Sequence, residues 1–310
     1  MTPTGPPPSA LPQRHGTRFV TDGGMETDLI YHHGVPLPEF AAFPLLDTQA
    51  GRTLLADYYG RYAGIARRAG AGLLLEAGTF RASPDWGARL GYDRADLTRV
   101  NTLAITHLAG LRERFADIDP VLISGMVGPR GDGYSAAGRL DPDQAQDYHR
   151  PQVEAFAAAG ADLVTAYTLA DAGEAIGIVR SARSAGLPVA ISFTVETDGR
   201  LPSGDSIAAA ITAVDAAAAP DYYLVNCAHP AHVSAGLGPA GPWRDRIAGI
   251  RPNASAKSHA ELDEADDLDE GDIGALVAAQ AELTAALPAL TIVGGCCGTD
   301  HRHVAALWGA

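Results

Sequence analysis

Residues 156–167 read Phe156-Ala157-Ala158-Ala159-Gly160-Ala161-Asp162-Leu163-Val164-Thr165-Ala166-Tyr167. An alanine-rich helix end runs into a glycine, then two short residues, then an apolar run. Glycine is the residue that ends helices in the left-handed conformation. An unbroken apolar run is the pattern of a parallel strand covered on both faces. The same joint recurs at Ala69-Gly70-Ala71, ahead of Gly72-Leu73-Leu74-Leu75, and more loosely at Ala185-Gly186.

Working outward from these joints, apolar runs that predict strands fall at 18–22, 72–79, 120–125, 162–167, 188–194, 222–227, 247–251 and 290–294. Helical periodicity predicts helices at 48–69, 95–115, 142–159, 171–185, 204–217 and 270–287, the first carrying Leu54, Leu55, Tyr58, Tyr62 and Ile65 on one face. Asp47, Asp141, Ser203 and Asp300 stand where N-caps belong, and Gly70, Gly160 and Gly186 where helices stop. The unit between the sixth and seventh strands is poorly marked, because Pro230, Pro239 and Pro242 interrupt it. Eight strands alternating with helices predict an α/β fold, a single (β/α)8 TIM barrel over residues 17–310. Residues 1–16, rich in proline, are expected to be a disordered tail.

Composition bounds the function. The 310 residues are 46% hydrophobic and 19% charged, ordinary for a globular chain, with a formal net charge of −14. Such an acidic body repels phosphate backbones and anionic membranes, so nucleic acid and membrane are poor partners. No apolar run approaches the ~20 residues of a membrane span, and no signal-peptide pattern precedes the barrel. A cytoplasmic location is therefore expected, with the three cysteines reduced rather than paired. An acidic stretch, Glu261 to Asp272, holds eight carboxylates and no base. It reads as a solvated loop, or as a lid or subunit contact, and homo-oligomerisation is left open.

All three cysteines fall at the C-terminal ends of expected strands, where barrel active sites are built. Cys227 ends Val225-Asn226-Cys227, and the pair lies in Gly294-Gly295-Cys296-Cys297-Gly298-Thr299. Neighbouring residues on a regular strand point to opposite faces, so two adjacent cysteines share one ion only if the backbone leaves strand geometry. Flanking glycines supply that freedom. Three thiolates would leave zinc one open position and make the site anionic. A substrate thiol bound there loses its proton yet keeps an electron-rich sulfur, which favours attack on a methyl donor over hydrolysis.

In these motifs the sequence resembles the homocysteine S-methyltransferase family, the zinc barrels that include betaine– and S-methylmethionine–homocysteine methyltransferases. Supporting matches are Asp22-Gly23-Gly24-Met25-Glu26-Thr27, Thr79-Phe80, Gly125-Met126-Val127-Gly128-Pro129, Ser192-Phe193-Thr194 and Pro252-Asn253-Ala254. The resemblance implies that Cys227, Cys296 and Cys297 hold Zn2+ and carry the catalysis. It implies a methyl transfer from an onium donor such as S-methylmethionine to homocysteine, forming methionine. Asp22 would hold the substrate's ammonium, Thr79 and Phe80 would line the pocket floor, and Glu26, Tyr167 and Asn226 would complete the substrate site.

One departure bears on the acceptor. Where the family carries a glutamate after the fourth strand, this chain has Tyr167, neutral at pH 7. Either another carboxylate substitutes, with Glu26, Glu76 and Glu196 as candidates, or the acceptor is a different small thiol. A non-catalytic zinc- or thiol-binding barrel and a hydrolytic or lyase barrel are the rival readings. His229 is a further candidate for the metal or for a substrate carboxylate, while Trp86 and Tyr92 either cover the pocket or pack on the barrel rim. His301 and His303 are expected at the surface.

Overall fold

The computed structural model describes residues 11–134, 141–265 and 267–310. Eight parallel strands close into a barrel in sequential order: β1 (Phe19–Val20), β2 (Gly72–Glu76), β3 (Val121–Val127), β4 (Leu163–Leu169), β5 (Val189–Phe193), β6 (Tyr222–Asn226), β7 (Ile247–Arg251) and β8 (Ile292–Val293). β1 pairs with both β2 and β8, which closes the sheet. The helices that follow the strands are α1 (Gln49–Ala69), α2 (Arg94–Arg114), α3 (Pro142–Ala159), α4 (Ala172–Ser184), α5 (Ile207–Ala218), α6 (Pro230–Gly236), α7 (Ile273–Ala286) and α8 (His301–Trp308). The architecture is the (β/α)8 barrel that the alternation predicts.

Two apolar layers hold it. The larger lies between sheet and helices, with Tyr59, Tyr62, Phe156, Phe193 and Tyr223 buried in it. The smaller fills the barrel interior with Phe19, Leu74, Leu163, Tyr222, Leu224 and Ile292. Leu11 belongs to this inner layer as well, and this corrects the expected tail. Residues 12–15 form a 3₁₀ turn, Gln13 is buried, and its amide donates to the Tyr222 hydroxyl at 3.2 Å. A plug at the lower end of the barrel thus orders 11–16, because a barrel interior needs filling at both ends. The rest of the expected tail, residues 1–10, lies outside the described residues.

Helix ends follow the capping chemistry, with two shifts. Asp141 and Asp300 cap α3 and α8, and Gly70 and Gly160 close α1 and α3 in the left-handed conformation. Thr48 rather than Asp47 caps α1, because Asp47 is engaged by Tyr92 and Arg99 of the neighbouring unit. Ser206 rather than Ser203 caps α5, Ser203 instead bonding Asp205. The poorly marked unit is a short α6 followed by a 3₁₀ turn at Pro242–Arg246. No helix among the described residues is long and apolar enough to cross a membrane.

Candidate active site

At the C-terminal rim the backbone departs from strand geometry where the chemistry lies. Cys227, next after β6, takes φ 53°, and Thr168 near the end of β4 takes φ 60°. Both conformations are costly for residues with a Cβ, doubly so for the branched threonine. Asn226 holds them. Its side-chain oxygen accepts from the Thr168 amide (2.9 Å) and the Ser192 hydroxyl (2.6 Å), and its amide group donates to Thr168 Oγ1 (2.8 Å). Asn226 also approaches the Cys296 sulfur, and Thr168 Oγ1 the Cys227 sulfur, each at 3.8 Å. Asn226 therefore faces the pocket with its polar atoms spent on positioning.

The loop after β8 is pinned just as closely. Cys296 donates its amide to Pro252 O (2.7 Å), Gly295 to Asp22 O (2.8 Å), and Cys297 O accepts from the Ala254 amide (3.1 Å). Gly24 must be glycine because a Cβ there would run into the Cys296 carbonyl, and Gly298 turns the chain with φ 77°. The result is that Cys227, Cys296 and Cys297 place their sulfurs within 4.8 Å of one another. Cys227 and Cys296, 5.4 Å apart at Cα, are joined as a disulfide, and Cys297 is free. That corrects the expectation of three unpaired thiols. Strand ends brought this close suit either a disulfide or a shared ion, since Cα separations of about 4.4–6.8 Å accommodate the former and sulfurs ~4 Å apart the latter. Burial, and next Glu26, push the Cys297 thiol up to about 11, opposed by Tyr134.

Over the three sulfurs lies a cavity of about 420 Å³. Its floor is a buried charged network. Arg251, the last residue of β7, sets Nη2 2.7 Å from Asp22 Oδ1. The same guanidinium donates to Gly295 O (2.9 Å) and Gly23 O (3.0 Å) and lies 4.8 Å from the Tyr167 ring centre. Burial works to lower the Arg251 pKa, but Asp22, Tyr167 and Glu76 outweigh it and hold the guanidinium charged. Burial pushes the Asp22 carboxyl up, against Arg251, Tyr58 and Thr21. Tyr167 donates its hydroxyl to Glu76 Oε1 at 2.7 Å. Burial raises Glu76 to about 7, and its Oε2 has no partner among the described residues.

The walls bring together Glu26, Phe80, Arg81, Tyr134 and His259. Burial raises Glu26 to about 7. Arg81 lies 3.6 Å from the Trp86 ring centre and 5.1 Å from that of Phe80, so Trp86 backs the wall instead of covering the pocket. Tyr92 bonds Asp47 away from the cavity. Thr79 is buried beneath it and donates to Met126 O (2.8 Å), a core role in place of the expected contact. His229 caps α6, accepting from the Ala231 amide, and belongs to no group of possible metal ligands among the described residues. His303 is buried and bonded to Asp300, a departure from the surface position expected for it.

Five residues of the site are not singled out by the sequence: Arg251, His259, Thr168, Arg81 and Tyr134. Arg251 was only the end of an apolar run, yet a charged residue at the C-terminal end of a barrel strand is the signal for a site residue. His259 lies on a short helix after β7; its ring contacts Tyr134 (4.0 Å), Cys227 O (2.6 Å) and Glu196 (3.2 Å). Glu196 is thereby engaged. The acidic stretch is part of the mouth: Asp263, Asp267 and Asp269 line it, while Asp266 lies outside the described residues.

Comparison with known proteins places the chain. No curated protein matches it. Among solved structures, the homocysteine methyltransferase MmuM of Escherichia coli aligns in its metallated form at 22% identity and TM-score 0.73, and in its oxidized form at 23% and 0.74. Both alignments cover 97% of this chain and 98% of that one, and at this identity they speak for the fold. The sequence profile of homocysteine S-methyltransferases matches residues 19–310, so the chain belongs to the homocysteine S-methyltransferase family and is a methyltransferase.

Proposed function

We propose that Cys227, Cys296 and Cys297, when reduced, hold one zinc ion, and that the enzyme moves a methyl group from an onium donor such as S-methylmethionine to the sulfur of a small thiol. Family membership supports homocysteine as the acceptor. The observation that carries the reading is the convergence of three sulfurs within 4.8 Å at the base of a cavity. A three-sulfur donor set suits zinc and leaves a fourth position for a substrate. When bound, zinc would supply the lowered thiol pKa that makes the acceptor nucleophilic at neutral pH.

The chain's own residues do the rest. Asn226 and Thr168 hold the ligand sulfurs in place. Phe80 and Tyr134 put aromatic rings in the cavity lining, which suits a cationic donor. Glu26 adds a carboxylate on the same wall, and in its ionised form it draws the donor's positive charge inward. The acidic mouth works in the same direction at longer range.

Reduced, zinc-loaded protein mixed with S-methylmethionine and either homocysteine or 4-mercaptobutyrate should yield the S-methylated thiol, read by mass spectrometry. Cys297→Ser should lose zinc and at least 100-fold of the rate, because serine is a poor anionic ligand at neutral pH. Full zinc retention in Cys297→Ser, or tight zinc with no methylated product from either thiol, would refute the reading.

A further inference from the structure

The floor beneath the cysteines carries charges that bear on which thiol is taken. Asp22, the carboxylate expected to hold a substrate ammonium, already has a cation on it: Arg251 Nη2 at 2.7 Å. That guanidinium is fixed from several sides, by the carbonyls of Gly295 (2.9 Å) and Gly23 (3.0 Å) and by the ring of Tyr167 at 4.8 Å. Glu76 lies below and is capped by the Tyr167 hydroxyl at 2.7 Å, while Glu196 is bonded to His259. An ammonium group reaching this floor would meet a like charge in a buried setting, where repulsion is strong. To reach Asp22 it would have to displace a side chain held by the loops after β1 and β8.

We propose that Arg251 occupies the position that an acceptor's ammonium would take, so that the enzyme's preferred acceptor is a small thiol without an amino group. The proposal rests on the methyl-transfer reading above and narrows its acceptor. Arg251 is then a specificity-determining residue: its tie to Asp22 leaves the floor neutral as a pair, and Glu76, whose Oε2 has no partner among the described residues, does not line the cavity. Glu26, a carboxylate on the cavity wall, is assigned to the donor in the reading above.

Homocysteine and 4-mercaptobutyrate differ only by the α-amino group, so calorimetric titration of each into the reduced, zinc-loaded enzyme isolates that group without needing a donor. The wild type should bind 4-mercaptobutyrate at least 10-fold more tightly. Arg251→Met, which frees Asp22, should shift the ratio at least 10-fold towards homocysteine; the wild-type comparison stands even if this variant does not fold. Homocysteine binding as tightly as 4-mercaptobutyrate, or more tightly, would overturn the proposal. If Glu26→Gln then removed that advantage, the ammonium would belong at Glu26. A ratio unmoved by Arg251→Met would equally overturn the role of Arg251. Failure of both thiols to bind would refute the thiol-acceptor reading itself, and this proposal with it.

Discussion

Glu76 shows how one residue of the floor ties function to stability. It is fully buried in β2, with one carboxyl oxygen bonded to Tyr167 and the other without a partner among the described residues. Burial raises its pKa to about 7. The folded state therefore binds a proton that the unfolded chain releases near pH 4.5, and the linkage sign follows. No cost arises below the unfolded value; the cost grows as pH rises and is complete above about 7. Glu76→Gln, which mimics the protonated acid, should stabilise the protein at pH 8 by on the order of 2–3 kcal/mol. Urea unfolding should show that gain shrinking to nearly nothing at pH 4. A gain independent of pH would mean that Glu76 is ionised without penalty. At this scale the places of the three cysteines and Asp22 at strand ends are legible. What Asp22 bonds to is not, because Arg251 lies 229 residues away in sequence and only barrel closure brings the two together. The same holds for His259 and Glu196, 63 residues apart.

Elements set the rim, and α8 shows it most plainly. Asp300 caps this helix by accepting from the Arg302 and His303 amides, and its side chain also holds Arg302. Burial works to raise its pKa, but the bonds from His303 and Arg302 win and hold it well below the usual carboxylate range. Because Asp300 stands three residues after Cys297, the cap also fixes the end of the loop that carries the cysteine pair. Asp300→Ala should cost about 1–2 kcal/mol of stability in urea unfolding at pH 7. Since the folded pKa is depressed, that contribution is present above the unfolded value and fades as pH falls towards the folded one. An unchanged midpoint would deny the cap its role. Strand positions were legible to within a few residues because parallel strands buried on both faces are continuous apolar runs. Their ends were less so. β1 and β8 are two residues each, shorter than their runs suggest, because the chain leaves the sheet early to form the loops that carry Asp22 and Cys296. β4 runs on to Leu169, with its register shifting between Ala166 and Leu169 where Thr168 takes positive φ. Nothing in the sequence of that strand marks a bulge.

At the scale of the whole molecule, barrel closure converts separate strand ends into one site. The sulfur cluster draws on strands six and eight, its floor on one, two, four and seven, and its positioning amide on six. The alternation of strands and helices makes that convergence readable before any coordinate is known. It leaves unreadable which side chains pair across the interior, and whether two of the cysteines join. The formal charge of −14, with acidic residues at the cavity mouth, suits attraction of a cationic donor and falls off with salt. Zinc-edge X-ray absorption on the reduced, zinc-loaded protein tests the central claim most directly, because it reads the ligands and their replacement together. The account predicts three sulfurs at about 2.3 Å and one lighter atom, becoming four sulfurs when 4-mercaptobutyrate is added. Fewer than three sulfurs, or a coordination sphere unchanged by a thiol that calorimetry shows to bind, would contradict it.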